Sequence, residues 1–417
     1  MTPRGMTTAS RTAKATSAGV RLAGIDAARG LALLAMMATH VLATFESNAQ
    51  LTPTWIGLAF SGRASALFAV LAGVGLALST GKQQPVEGSA LWAARRGIAL
   101  RALVVGTVGL SLGGLDVSIA VILVHYALLF LCVLPFVGLG LNRLLVLATA
   151  WILASPVLAY LLRPWLLSAD PPLRLGHNPG WEDLATPARL LGDLFLTGYY
   201  PVLQWIAYLL VGLAIGRMAL SKAATPFLLL AAGTTVAVFA KWLGAVLMED
   251  WGGRQALESQ IGDPAYPLGS LLQVNLAGVD QSGSVWWLAT SAPHAGTTLD
   301  LLHTSGVAAA VIGVCLLLGR LGEWVELDLL LPLRGIGAMT LTLYTAHLCI
   351  MAALHDRPLA PGWTVEGVYW AQAVGMLVVG GVFAALIWRG PLEWVSHAAN
   401  QVGRYQPARG RQPARFR

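Results

Sequence analysis

Apolar runs of about twenty residues recur along this chain, from GIDAARGLALLAMMATH at 24–40 to YWAQAVGMLVVGGVFAALIW at 369–388. A helix needs roughly 20 mainly apolar residues to cross about 30 Å of hydrocarbon, so runs of this length prescribe membrane-spanning helices. Only 11% of the 417 residues are charged and mean hydropathy is +0.67, where a soluble domain carries about 25% charged residues. The length would admit two or three soluble domains, but the runs leave no stretch for them. The expected fold is an all-α polytopic membrane protein.

Ten spans are expected, near 24–44, 56–79, 92–113, 117–138, 143–162, 198–216, 224–247, 301–319, 333–353 and 366–388. An even number puts both termini on one side, and the Lys/Arg bias of short loops selects it. Arg4, Arg11, Lys14, Arg21, Lys82, Arg95, Arg96, Arg143, Arg217, Lys222, Arg320, Arg334, Arg389 and the arginines after Arg404 alternate with acids such as Glu46, Asp116, Asp170, Glu182, Asp250 and Asp300. The reading is a plasma-membrane protein with cytoplasmic N- and C-termini and long outer loops at 163–197 and 248–300. The net charge of +7 is then an orientation signal, and no nucleic-acid partner is expected. Residues 1–20 read as a disordered cytoplasmic segment, 21–395 as one transmembrane domain and 396–417 as a basic tail. The first run is read as a retained span, because no small-residue cleavage site follows it. Cys132, Cys315 and Cys349 lie in apolar runs without metal or disulfide spacing and read as small core residues.

Ionisable side chains within a span are expensive and normally face a bundle interior or wet cavity. The first run nevertheless carries Asp26, Arg29 and His40. Asp26 and Arg29, at i and i+3, can pair. Arg29 and His40 are eleven residues apart, about three helical turns and roughly 16 Å on one face. Arg63, Arg101, His125, Lys241 and His347 are distributed over other spans, with Tyr344 one turn before His347. Lys241 fits a lysine snorkelling to the interface. The set has arginines mostly towards the inner side and histidines mostly towards the outer, the pattern of a polar passage. A histidine is a natural base for a hydroxyl or amine nucleophile, and buried cations suit a phosphorylated donor. No phosphate-binding loop, dinucleotide fingerprint, HExxH or CxxC motif is present. Acyl transfer and non-enzymatic transport of a polar or lipidic metabolite are both open at this point.

RLAGIDAARG at 21–30 resembles the R-x-x-x-[IL]-D-x-x-R-G opening of the YeiB-like membrane proteins. They are relatives, within the transmembrane acyltransferase superfamily, of heparan-α-glucosaminide N-acetyltransferase and bacterial membrane O-acyltransferases. GRASALFAVLAGVGLAL (62–78), YPVLQWIAYLLVGLAIGR (200–217), PHAGTTLDLLHTSG (293–306), GAMTLTLYTAH (337–347) and GPLEWV (390–395) are similar to segments of that family in the same order. The resemblance implies a bundle of ten or eleven helices. It would move an acyl group, acetyl in particular, from cytoplasmic acyl-CoA to an extracytoplasmic glycan or glycolipid, with no metal cofactor. His40 stands fourteen residues after Asp26, the spacing of the first-span histidine in the O-acyltransferases. It would be the catalytic base or acyl carrier. Arg63 and His347 would line the chamber, with His294, His125 and Tyr344 on the substrate side. Arg29, Asp26, Arg101 and Arg334 would hold the donor. Self-association is compatible with such a chain.

Overall fold

The computed structural model describes residues 23–48, 50–168, 170, 172–324 and 330–405, so the expected segment 1–20 and residues 406–417 of the tail lie outside the described residues. Among the described residues sixteen α-helices follow one another. They are α1 (Ala23–Val41), α2 (Trp55–Phe60), α3 (Arg63–Ser79), α4 (Gly88–Gly113), α5 (Leu123–Val133), α6 (Leu141–Leu167), α7 (Pro187–Gly192) and α8 (Val202–Arg217). Then come α9 (Ala224–Ala245), α10 (Gly253–Ile261), α11 (Leu268–Val274), α12 (Thr298–Trp324), α13 (Leu331–Ala338), α14 (Thr340–Leu354), α15 (Val365–Ala385) and α16 (Pro391–Arg404). Among the described residues there is no strand, only an isolated bridge between Phe45 and Pro53.

Among the described residues six helices are long and apolar enough to cross a membrane, or up to eight if each of two bent pairs is one span. Three expected spans depart from a simple rod. The one at 117–138 begins as irregular backbone, and only Leu123–Phe136 is helical. Backbone polar groups at membrane depth must be satisfied by the protein itself, and side chains do this here. Asn178 Nδ2 donates to the Ile119 carbonyl (2.7 Å), the Val121 N–H donates to Asn178 Oδ1 (2.8 Å), and the Tyr200 hydroxyl donates to the Ala120 carbonyl (3.2 Å). The span at 198–216 is α8, entered through a π-helical turn at Asp193–Thr197 and a 58° bend. The span at 333–353 is broken by 81° between α13 and α14. The new N-terminus of α14 would expose free N–H groups, and Glu393 of α16 covers it. Its Oε1 accepts from the Leu341 and Thr342 N–H groups at 2.6 and 3.2 Å, and its Oε2 from the Thr342 hydroxyl at 2.6 Å. Residues 396–404 of the expected tail thus belong to a helix, and Ser396 and Gly403 are buried.

The centre of the bundle is α1, buried from Gly24 to Ala38 along most of its surface by α3, α12 and α13. It is outside the six apolar spans because Asp26, Arg29 and His40 dilute its apolarity. Its contact with α13 is backbone against backbone. A Cβ at Gly30 would strike the Leu333 carbonyl, and one at Gly337 the Asp26 carbonyl. Small residues permit such approach between membrane helices.

The two long loops are folded. In the first, Asp183 and Asp193 are buried and paired with Arg174 (2.8 Å each), and His177 Nε2 lies 2.8 Å from Asp183 Oδ2. The second carries its own apolar core, in which Leu257, Leu268, Leu276 and Trp287 are nearly inaccessible.

Candidate functional site

His40 occupies the last turn of α1, where the helix opens into a cavity of about 210 Å³. Its lining is rich in hydroxyls. Ser61, Ser65, Ser118, Tyr199 and Tyr200 face it, with Asn275 and His294 from the second long loop. The irregular backbone at 118–120 forms one wall, held by Asn178 and Tyr200 at the Ile119 and Ala120 carbonyls.

Behind His40 the structure places two partners in line. His40 Nδ1 lies 3.2 Å from His347 Nε2, and His347 Nδ1 lies 2.8 Å from Gln372 Oε1. The imidazoles are within 10° of parallel with centroids 5.4 Å apart, so they meet at their nitrogen edges. His347 is wholly inaccessible and Gln372 nearly so, whereas His40 is half-buried and faces the cavity. Gln372 Nε2 points to Met351 Sδ at 3.8 Å, which leaves Oε1, an acceptor, for His347. An acceptor there requires His347 Nδ1 to carry the proton. His347 Nε2 is then a lone pair that accepts from His40 Nδ1–H. His40 Nε2 is left unprotonated, the form a general base needs.

His294 sits at a backbone φ of +62° in the loop before α12, between Trp205 (ring centroids 6.4 Å) and Tyr200 (6.0 Å). Burial pushes its imidazole down to about 4, so it is neutral at physiological pH. His125 is buried one layer further back, edge to face with Tyr200 at 5.6 Å. The buried Tyr344 hydroxyl is 3.5 Å from the Ile122 N–H. Both stand behind the wall and do not line the cavity.

Arg63, expected in the chamber, is directed elsewhere. Ala64 and Ser65 take the chamber-facing positions at the start of α3, and helical geometry turns Arg63 to the next face. There its Nε–H donates to His303 Nε2 (3.2 Å), and its Nη1–H donates to the Ser61 carbonyl (3.2 Å). It backs the wall.

At the other end of α1, Arg29 pairs with Asp26 (Nη1–Oδ1 2.8 Å). Its guanidinium fills the space over Gly75 of α3, where a Cβ would meet Nη2 at 2.9 Å. Arg101 of α4 is within electrostatic reach of Arg29 and of Glu393, with its guanidinium 5.4 Å from the Phe130 ring centroid. Arg334 is half-buried on α13, the helix against which α1 packs. The structure therefore brings His40, His347 and His294 to one end of α1 and Arg29 with Arg101 to the other. Gln372 is the residue sequence reasoning missed, and a lone amide in an otherwise apolar run was its signal. Away from the chamber, Asp116, His355 and Asp356 bring ligand-type atoms within 4.8 Å of one another at the surface.

The sequence model of one protein family matches residues 21–246, more than half of the chain, and its description is heparan-alpha-glucosaminide N-acetyltransferase, catalytic. Comparison with curated proteins returns no match.

Proposed function

The chain belongs to the family of the heparan-α-glucosaminide N-acetyltransferase catalytic domain, and from that premise we propose that it transfers an acetyl group from cytoplasmic acetyl-CoA to a sugar hydroxyl or amine of an extracytoplasmic glycan or glycolipid. The matched segment contains His40, Arg29, Arg63, Arg101 and Tyr200. The ordered motifs downstream, from 293 to 395, favour the YeiB-like branch. Both termini are cytoplasmic in this reading, the membrane is the plasma membrane, and the chamber opens outward.

The observation that carries the reading is the line Gln372–His347–His40 ending at a hydroxyl-lined cavity, which supports a His40 whose Nε2 is the free base. Such a lining suits a polyhydroxylated acceptor, because each sugar hydroxyl needs a partner when it leaves water. Arg29 and Arg101 take the donor's phosphates at the cytoplasmic end, roughly 16 Å along α1 from His40. The pantetheine arm then runs beside α1 towards the chamber. His40 Nε2 removes the proton from the acceptor hydroxyl or ammonium-derived amine as the nucleophile attacks the thioester carbonyl. The C–O or C–N bond forms, the C–S bond breaks, and the coenzyme A thiolate leaves. General-base help of this kind contributes typically about 10²–10⁴-fold. His347 and Gln372 touch neither substrate; they hold the tautomer.

The test is release of coenzyme A thiol and of acetylated sugar by full-length protein in proteoliposomes, with acetyl-CoA inside and glucosamine-containing oligosaccharide outside. Turnover that depends on both substrates and falls in His40→Asn is expected. Thiol release no greater than in His40→Asn, together with flux of an unmodified solute, would replace this reading with transport.

A further inference from the structure

A second polar feature lies on the other side of Arg63. Helices α9 and α12 are pressed together where Gly233 and Gly306 face each other's carbonyls. Alongside that contact the two helices line a lateral groove of about 540 Å³. Val238 and Trp242 of α9 and Val307 and Val311 of α12 form apolar walls, and Lys241 and His303 are the ionisable lining. The neighbouring Phe239 and Trp242 are exposed, the character of a lipid-facing surface. The groove follows α9 from Thr234 to Ala245, about 16 Å at 1.5 Å per residue, enough for part of one acyl chain.

The charges at the groove do not cancel. His303 Nδ1–H donates to the Ala237 carbonyl (2.9 Å) and its Nε2 accepts from Arg63 Nε–H (3.2 Å), so the ring is neutral. Asp300 is buried and its Oδ2 accepts from the Gly296 N–H at 2.9 Å. Arg63 and Lys241 both lie within its electrostatic reach. Two cations therefore face one carboxylate. Among the described residues the Lys241 ammonium has neither a hydrogen bond nor an ion pair. A cation facing hydrocarbon is normally paired, and a lysine that merely snorkels would carry its ammonium to the interface instead of lining an apolar groove beside His303.

We propose that this groove seats a membrane lipid with a phosphate headgroup, its acyl chain along the apolar walls and its phosphate on Lys241. A phosphodiester supplies the single negative charge that the cluster lacks. The seat is one side-chain layer from the chamber, since Arg63 also donates to the carbonyl of Ser61, which lines it. A lipid-linked acceptor bound here would have the Arg63–Ser61 wall between its headgroup and the chamber; its use as acceptor rests on the acyl-transfer reading, and lipid binding does not.

Native mass spectrometry of the full-length protein, exposed to equal amounts of phosphatidylglycerol and phosphatidylcholine without acyl donor, tests the seat. One phosphatidylglycerol should be retained about fivefold over phosphatidylcholine, the factor expected of one lysine at an anionic headgroup. Lys241→Met should bring the two to parity and Lys241→Arg should restore the preference. Ala310→Phe, which fills the groove without touching the lysine, should lower phosphatidylglycerol retention. Parity in the wild type overturns the proposal with no variant needed. So does a preference unchanged in Lys241→Met, which would place the lipid on other basic residues, or one unchanged in Ala310→Phe. Displacement of the retained phosphatidylglycerol by an equal concentration of inorganic phosphate, which would make the seat a free-phosphate site, overturns it too. Turnover of acetyl-CoA is scored separately, so loss of lipid retention leaves acyl transfer standing and the reverse also holds.

Discussion

Gln372 is the sharpest place to break the proposed mechanism, because it is remote from both substrates. In Gln372→Leu the acceptor for His347 Nδ1–H disappears from a site where His347 is 0% and Gln372 9% exposed, so water cannot replace it. An orphaned buried donor costs about 1–3 kcal/mol. The ring relieves this by moving its proton to Nε2, which then donates to His40 Nδ1 and forces the His40 proton onto Nε2. That tautomer is not a base towards the cavity. The productive arrangement then lies above the ground state by as much as the orphan penalty, and at tenfold per 1.4 kcal/mol kcat should fall about 5- to 100-fold. KM for acetyl-CoA should hardly move, because Arg29 and Arg101 are at the other end of α1. Gln372→Glu offers an acceptor only, so it should keep most of the rate. Single-turnover formation of acetylated sugar, with thermal unfolding as the folding control, reads both variants. A folded Gln372→Leu at the wild-type rate, or a Gln372→Glu as slow as Gln372→Leu, refutes the tautomer argument.

His40→Asn should abolish transfer by about 10²–10⁴-fold while acetyl-CoA binding, measured by calorimetry, persists. If His347→Ala is dead and His40→Asn is not, the roles of the two histidines are reversed. Arg29→Ala should raise the dissociation constant for acetyl-CoA with a smaller effect on the step after binding; equal losses in Arg29→Ala and His40→Asn would argue against that division. With Cys132, Cys315 and Cys349 replaced, a cysteine at Ser259 should react with an impermeant thiol reagent in intact cells and one at Ser221 should not; the opposite labelling reverses the topology. Burial would raise the Asp183 carboxyl, but the Gly180 N–H, His177 and Arg174 outweigh it and hold it down to about 2. Folding therefore favours the ionised form, a stabilisation present above the ordinary carboxylate range and lost as pH falls from about 4 towards 2. Asp183→Asn should lower Tm at pH 7, and the gap to wild type should narrow over that acid range.

The fold was legible where physics is one-dimensional. Runs such as 144–162 and 301–319 are long, apolar and free of Asp, Glu, Lys and Arg, and each lies within a single long helix. Legibility failed where tertiary partners override the run. Residues 117–122 are as apolar as a span, yet Asn178, 57 and 59 positions from its partners in sequence, takes the Val121 N–H and the Ile119 carbonyl. Nothing local in 115–138 announces that partner. The break between α13 and α14 is equally hidden, since the carboxylate that covers the new helix end comes from Glu393, about fifty residues on. GPLEWV was read as a family segment; its acid has a structural use.

The site divided along the same line. Arg29 and His40 share a stripe of α1 because helical periodicity places them there, and the Asp26–Arg29 pair follows from their i, i+3 spacing. What periodicity cannot supply is the partner across the bundle. His347 was expected to line the chamber, but it is buried behind His40, its nitrogen 3.2 Å away, so the two histidines stand in one hydrogen-bonded line. Arg63 shows the converse. It was expected to line the chamber, yet a helix position fixes a face only relative to neighbours, and the neighbour that claims its guanidinium is His303. An arginine that donates at once to a residue of the lateral groove and to a carbonyl of the chamber wall ties the two polar features together mechanically. Arg63→Lys keeps the charge but has no planar fork to reach both acceptors. It should therefore leave phosphatidylglycerol retention near wild type, because Lys241 still supplies the ion pair, while slowing transfer through a displaced Ser61 wall. Loss of lipid retention with transfer intact in Arg63→Lys would instead make Arg63 the headgroup's principal cation and Lys241 its auxiliary.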